Sequence, residues 1–516
     1  MPASSRRKSR RRSESRSEET TSAAVNQLPR ARLVNRFPPL EPLSADQLEA
    51  VHDASMRILE EQGVEVMSAK ARQLFGQAGA DVDDATEIVR GDRNLFLEAV
   101  AKAPASFTLT PRNPENAIEV GGNVLNFGMV SGPPNVHDRI NGRRPGNFAD
   151  YKKLISLAQY FNVIKVLGNQ TLAPIDIPAN TRHLDTYREN ILLTDKIWSG
   201  IPIGIGRVKD AVNMVAIGKG VSVEDMRHAP GMIANININS PRKLDDTMAD
   251  AAMYLAELGQ PVICTPFTLM GAMTPVTMAG ALAQQNAEAI LAIAMLQLAS
   301  PGAPAIYGGF TSNVDMRSGA PAFGTPENAL ANIIGGQLAR RYSLPYRTSA
   351  CSASNDTDAQ AVYESSNALW GAVLGYGNVI YHAAGWMEGG LVASFEKFII
   401  DVESLQAMTC MLQPVTINEE EFGLDAMREV GPGGHFFGVG HTMDRYKTAF
   451  YEPILSDWQN NQAWELAGAK SAAQRATEVW QKVLAEFEPP ELAPDRREAL
   501  DEYVARRKQE IGSDEP

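Results

Sequence analysis

The sequence predicts an α/β fold: a closed (β/α)8 TIM barrel with an N-terminal helical and β cap and a C-terminal helical extension. Three observations carry that expectation. From residue 124 onward, short apolar runs of about six residues alternate with longer amphipathic segments. The runs are mainly apolar, as strands buried on both faces of a parallel sheet read. There are eight of them, each followed by a helical pattern, and that number favours a closed barrel over an open doubly wound sheet.

Taken in order, the chain opens on a basic segment. Residues 1–30 hold eight Lys or Arg and three Glu, a charge of +5, which leaves −18 on the rest of a chain whose net charge is −13. Arg6, Arg7, Lys8, Arg10, Arg11 and Arg12 form a potential patch for nucleic acid or an anionic surface; the alternative is a solvated, disordered tail. Residues 31–123 read as the cap. Within it, 44–105 read as small helices, with an N-capping stretch at Ser44–Gln47 and Leu48, Val51, His52, Met56 and Leu59 at helical spacing. Phe107–Pro111 and Ala117–Val120 read as two short strands around a turn.

The barrel is expected over 124–412. Its strands are Val124–Val130, Val163–Leu167, Lys196–Gly200, Met232–Asn237, Pro261–Thr265, Ala303–Gly308, Pro345–Ala350 and Asn378–Ala383. Helical patterns lie near 148–159, 181–194, 207–219, 244–258, 275–299, 326–341, 358–376 and 393–412. Residues 413–516 form the extension, with a Gly-rich run at Gly431–Gly438 and two long charged helices around 459–487 and 494–511.

Composition narrows the function classes. With 44% of its 516 residues hydrophobic and 21% charged, the chain is neither mainly disordered nor collagen-like. No run approaches the roughly 18 apolar residues of a membrane span. An acidic body lacks the cationic surface that nucleic-acid phosphates demand, so nucleic acid is not expected as the main partner. Cys264, Cys351 and Cys410 are too few for a disulfide framework or a structural zinc site, and they point to a reducing cytoplasm. No stretch resembles a secretory signal.

The reactive face of such a barrel lies at the C-terminal ends of its strands. There the sequence offers Gly128, Asn169 and Gln170, Asn235 and Asn237, and Thr265–Phe267. It continues with Tyr307–Ser312 including Phe310, Ser349–Cys351, and His382–Glu388 including Trp386. It contains no HExxH, no Cys/His ligand set, no spaced carboxylate cluster, no GxSxG and no Walker loop, so no bound metal is expected. Glycines let something large approach the backbone, and aromatic faces attract quaternary ammonium groups by about 0.5–2 kcal/mol each. Such strand ends suit a neutral or cationic molecule beside a bulky flat partner. The alternatives are that Trp386 and Phe310 pack beneath loops, that His382, His435 and His441 are structural, and that Cys351 is a buried thiol.

Several long stretches are similar to the trimethylamine:corrinoid methyltransferase family, over about residues 30–510. They are Pro261-Val-Ile-Cys-Thr-Pro-Phe-Thr-Leu-Met-Gly-Ala-Met-Thr-Pro-Val-Thr277, Tyr307–Pro321, Asp358–Glu364, Ala383–Leu391 and Gly434–Thr442. The resemblance implies the same barrel. It also implies a corrinoid (cobalamin) cofactor carried by a partner protein, a small amine substrate and a homo-oligomer.

In the family's founding members pyrrolysine precedes an Asp-x-Gln element after strand seven. Asp358-Ala-Gln360 supplies that element here, but Asn355, Asp356 and Thr357 before it are ordinary residues. The chain therefore looks like the non-pyrrolysine branch, which resembles betaine demethylases. A quaternary ammonium already carries its full charge, so no side chain need activate the leaving amine. The substrate-binding residues expected are Phe310, Trp386, His382, Tyr307, Asn237 and Gln170, with Arg317 or Arg347 for a carboxylate. The rival readings are a trimethylamine-type enzyme, a metal-free barrel lyase or aldolase, a non-catalytic betaine binder, and a nucleic-acid binder using the tail.

Overall fold

The computed structural model describes residues 25–168 and 170–512. The patch at Arg6–Arg12 lies outside the described residues. Eight parallel strands close a barrel: β1 (Val124–Gly128), β2 (Ile164–Leu167), β3 (Ile197–Gly200), β4 (Ile233–Ile238), β5 (Val262–Met270), β6 (Ala305–Gly308), β7 (Tyr346–Ser349) and β8 (Val379–Tyr381). Each pairs with the next, and β8 pairs back onto β1. A helix follows each strand: α1 (Phe148–Tyr160), α2 (Arg182–Leu193), α3 (Ile205–Lys219), α4 (Asp246–Glu257), α5 (Met278–Ala299), α6 (Pro326–Arg341), α7 (Ala359–Leu374) and α8 (Phe395–Met411). Local chemistry sets the helix starts. Asn147, Asp245, Thr277, Thr325, Asp358 and Ser394 each accept a backbone N–H of the first turn through the side chain, satisfying donors the helix cannot.

The cap follows from α5. That helix is rich in Ala, Leu and Ile and buried on every side from Ala281 through Gln297, so it needs a second layer outside the barrel. Helices Ala45–Arg57, Ala69–Gln77 and Arg93–Val100 supply it. The cap is not helical alone, as expected for 44–105: strands Val64–Val66, Asp81–Asp83 and Ile88–Arg90 form a sheet with Lys243–Leu244. Three-residue strands are too short to show a period in sequence. The hairpin Ser106–Leu109 with Ile118–Gly121 plugs the barrel floor, where Leu109, Ile118 and Val120 pack on Ile197, Ile233, Ile263 and Ile306.

Three further expectations are corrected. Strand β5 does not stop at Thr265 but runs past the barrel rim to Met270 and pairs with Phe310–Val314. The helix expected over 459–487 breaks between Asn461–Leu466 and Ala472–Glu486, where Gly468 takes a φ of 98° and Ser471 starts the second helix with a capping box. Residues 25–30, expected in the disordered tail, lie along the body. Leu28 N–H donates to Gln406 Oε1 and Gln27 Nε2 to the Tyr160 carbonyl.

Candidate active site

A cavity of about 490 Å3 opens at the C-terminal ends of the strands. A small sheet from the loops after β1 and β8 (Asn135–Asp138, Gly142–Pro145, Trp386–Met387, Val392–Ser394) stands beside it and carries Trp386 into the wall. The other walls are Phe267 from β5, Phe310 and Phe323 from the loops after β6, Arg347 from β7, and Tyr381 and His382 from the end of β8. Ser199, Asn235, Asn237, Asn239 and Ser240 form a polar side.

The aromatic side chains make one continuous cluster. The Phe310 ring centre lies 5.0 Å from that of Phe267, 5.5 Å from Phe323 and 6.2 Å from Trp386. Phe323 meets Trp386 edge-on at 6.1 Å, and His382 lies 4.0 Å from Trp386.

Arg347 is the only charged side chain among the described cavity residues, and it is 3% exposed. Among the described residues no carboxylate pairs with it. Its guanidinium sits between the Phe310 and Tyr381 rings, at 5.0 and 5.3 Å, and Nη2 lies 3.3 Å from His382 Nε2. Its Nε has no hydrogen-bond partner among the described residues. Burial without an acid lowers its pKa to about 10, so it stays charged at neutral pH. Because guanidinium can only donate, His382 Nε2 accepts and the ring proton belongs on Nδ1. Burial first, then the Arg347 charge, hold the imidazole pKa well below its usual value, so the ring is neutral. His382 also takes a left-handed backbone, φ 59°, which a non-glycine residue adopts only when its surroundings impose it.

On the polar side, Tyr381 shares a 2.6 Å hydrogen bond with Ser199 Oγ. Thr265 Oγ1 donates to Asn235 Oδ1, and Asn235 Nδ2 donates to Asn237 Oδ1, which ties the two cavity-lining amides together.

Of the residues singled out from sequence, Phe310, Trp386, His382, Arg347 and Asn237 come together on this cavity. Tyr307 does not: it is fully buried against α5, bonded to Asn286 at 3.0 Å. Alternation along β6 turns it toward the helices. Arg317 is exposed on the turn after Phe310–Val314, held by Asp315. Gln170 follows β2 at the right end of the barrel but is not among the cavity-lining residues; its carbonyl accepts Gly132 N–H at 2.7 Å. Phe267 and Asn235 stood among the strand ends without being singled out. Phe323, Tyr381 and Ser199 were missed: Phe323 follows a surface turn, and the inward direction of the other two emerges only from barrel register.

Most strand-end glycines serve packing rather than a ligand. A Cβ at Gly308 would fall 2.5 Å from the Cys264 carbonyl, and one at Gly309 2.7 Å from the Tyr346 hydroxyl. Gly132 and Gly389 alone line the mouth. Cys351 is buried and its thiol pushed up by desolvation, away from nucleophilic use.

The loop before α7 also lies away from the cavity lining. Asn355 and Asp356 are exposed, Thr357 is half-buried, and Thr357 N–H donates to Asp356 Oδ1. Asp358 caps α7 and accepts Ser354 Oγ, while Gln360 donates to Glu364. Glu364 in turn accepts Ser352 Oγ and the backbone N–H of Ala353 and Ser354. The carbonyls of Ser352 and Ser354 then receive Gly389 and Glu388 N–H, fixing the segment next to Trp386.

Residues 6–512 match the family model for trimethylamine methyltransferase (MTTB). The chain belongs to this family. A glycine betaine methyltransferase of Desulfitobacterium hafniense strain Y51 is 35% identical, over 92% of this chain and 98% of that one. The trimethylamine methyltransferase MttB of D. hafniense strain DSM 10664 is 27% identical over 91% and 94%. Among solved structures, the monomethylamine methyltransferase of Methanosarcina barkeri is 10% identical with a TM-score of 0.45, over 89% and 92%. As a family member the chain is a methyltransferase. Among the described residues no group of three or more His, Cys, Asp or Glu is placed to hold a metal ion, and no helix is long and apolar enough to cross a membrane.

Proposed function

We propose that this methyltransferase moves a methyl group from a carboxylate-bearing quaternary amine, glycine betaine or a close relative, to Co(I) of a corrinoid on a partner protein. The observation that carries the reading is Arg347: a buried, charged guanidinium without an acid, on the wall of an aromatic cavity. An unpaired buried charge costs several kcal/mol, and a substrate carboxylate removes that cost. Phe310 and Tyr381 hold the guanidinium, which leaves Phe267, Phe323 and Trp386 for the ammonium. A relative named for glycine betaine supports the same substrate class.

The volume fits this division of labour. If each heavy atom takes at most about 30 Å3, an eight-heavy-atom betaine fills about half of the 490 Å3. A corrinoid held by a partner protein would meet the cavity from outside, where Gly132 and Gly389 leave the lining without side chains. A corrinoid carried there supplies the nucleophile. The methyl carbon–nitrogen bond breaks, the electron pair stays on nitrogen, and a neutral tertiary amine leaves. No proton moves in that step, in keeping with a neutral His382 and no carboxylate in the wall. Arg347 and the aromatic faces orient one N-methyl group toward the mouth and keep water from the ammonium.

The test is purified protein with Co(I) cobalamin and a panel of glycine betaine, proline betaine, carnitine, choline and trimethylamine. The expected result is methylcobalamin from carboxylate-bearing quaternary amines. Turnover of trimethylamine alone, or tight betaine binding without methylcobalamin, contradicts it.

We further propose a homo-oligomer. Val415, Ile417, Phe437, Phe450, Trp458 and Leu466 are each at least 70% exposed within one 52-residue stretch, apolar side chains that a second copy would cover. A cytoplasmic setting is the natural one for three free thiols.

A further inference from the structure

The opposite end of the barrel holds a second cavity that methyl transfer does not use. It measures about 160 Å3 and lies where the segment Arg30–Leu33, the floor hairpin, β1 and β2 meet. The register of β1 against β2 slips between Ile164 and Val166, and Lys165 sits in that irregularity. Lys165 lines the cavity and is 8% exposed, yet its amine has no hydrogen bond or ion pair among the described residues. Arg30, half-buried on the same wall, has none either.

A third cation stands behind them. Lys196 is fully buried and donates at 2.7 Å to the carbonyls of both Ala158 and Phe161. Burial first, then the charges of Lys165 and Arg30, hold its amine well below the usual range. Asp195 and Glu115 attract Arg30 across space, and Asp195 attracts Lys196, but among the described residues no acid forms an ion pair with Arg30 or Lys165. Asp195 accepts side-chain N–H groups of Asn113, Asn116 and Gln159 on its two oxygens. Glu119, at the cavity rim, is paired with Arg32 at 2.7 Å, both about half exposed. Burial, then Arg30, lowers the Lys165 pKa to about 8, so at neutral pH the amine is still mainly protonated. Two cationic groups without an ion pair among the described residues thus face one cavity, and the buried Lys165 amine is the costlier of the two to leave so.

We propose that this cavity is a binding site for a small oxyanion of the phosphate or short-carboxylate class, held by Lys165 and Arg30. At about 30 Å3 for each water-sized group, 160 Å3 admits about five heavy atoms, which suits inorganic phosphate or acetate and excludes a nucleotide. Opposite charge, donors on two sides of the space and the Thr108 hydroxyl favour an anion over an apolar guest. The site is independent of the substrate assigned to the other end.

Calorimetric titration of the full chain in Tris chloride tests this, with inorganic phosphate in one arm and acetate in the other. Saturable binding of one of them by the wild type is expected. Lys165→Met should abolish that binding, and Arg30→Gln should weaken it by at least about tenfold. Without anion, Lys165→Met should melt no lower than the wild type, because it removes an unpaired buried charge. Absence of binding in both arms overturns the proposal, as does unchanged affinity in Lys165→Met. If that variant fails to fold, Arg30→Gln decides by the same comparison: unchanged affinity overturns the proposal.

Discussion

The guanidinium of Arg347 stands 5.0 Å from the centre of the Phe310 ring, one face of a sandwich whose other side is Tyr381 at 5.3 Å. Two aromatic rings hold a charge that no carboxylate among the described residues pairs with. Leaving a buried charge unpaired is costly, and a ligand carboxylate offsets that cost.

Replacing Arg347 by Met should therefore weaken glycine betaine binding by about 2–5 kcal/mol, 30-fold or more in Kd. Choline, with the same ammonium and no carboxylate, should bind the variant at least as well as the wild type. Arg347→Lys should restore only part of the betaine affinity, because an ammonium does not reproduce the planar fork. Titration calorimetry with the two ligands measures both effects.

The aromatic wall makes its own prediction. Trp386→Leu or Phe323→Leu should raise Kd for betaine and choline alike, by about 0.5–2 kcal/mol for each face lost. Phe310→Leu should hurt betaine more than choline, because its ring also holds Arg347.

The pH dependence of betaine binding has a definite sign. His382 is neutral far below its ordinary range, so no inflection near pH 6.5 is expected. Arg347 is charged below about pH 10 and neutral above it, so affinity should hold through neutral pH and fall as pH rises through about 10. For stability, His382 binds a proton in the unfolded chain near pH 6.5 but not in the folded one. Stability should thus decline as pH falls below that value. His382→Asn should lessen that decline in a melting series.

Asn355→Ala, Asp356→Ala and Thr357→Ala should leave KM within about twofold, since none of the three lines the cavity and the first two are exposed. Glu364→Gln should lower turnover, because its carboxylate holds the loop whose carbonyls fix Glu388 and Gly389. Steady-state kinetics of the four variants separates the two roles.

These residues also show what could be read from sequence. The barrel strands were visible because most are short, mainly apolar runs buried on both faces, and six of the eight helices because a capping residue precedes the periodic pattern. Arg347, Phe310 and Trp386 were accessible for the same reason: the barrel rule points to strand ends. Tyr307 shows where the rule fails. It also ends a strand, but alternation turns it toward α5, and one residue of register reverses a side chain's direction. Phe323 lies beyond a turn whose path no local pattern reveals. Gly308 and Gly309 were read as room for a ligand, whereas they make room for neighbouring strands.

Size-exclusion chromatography with light scattering should give a mass at least twice 56.0 kDa. Phe437→Asp with Trp458→Asp should shift it toward the monomer, because both side chains are more than 70% exposed in a single chain.

The most direct measurement is methylcobalamin formation from Co(I) cobalamin with glycine betaine, compared between the wild type and Arg347→Met. The account predicts methylcobalamin and dimethylglycine in equal amounts from the wild type, and a loss in the variant expressed in KM. Turnover of betaine that is indifferent to Arg347→Met, or no turnover of any carboxylate-bearing quaternary amine, would contradict it.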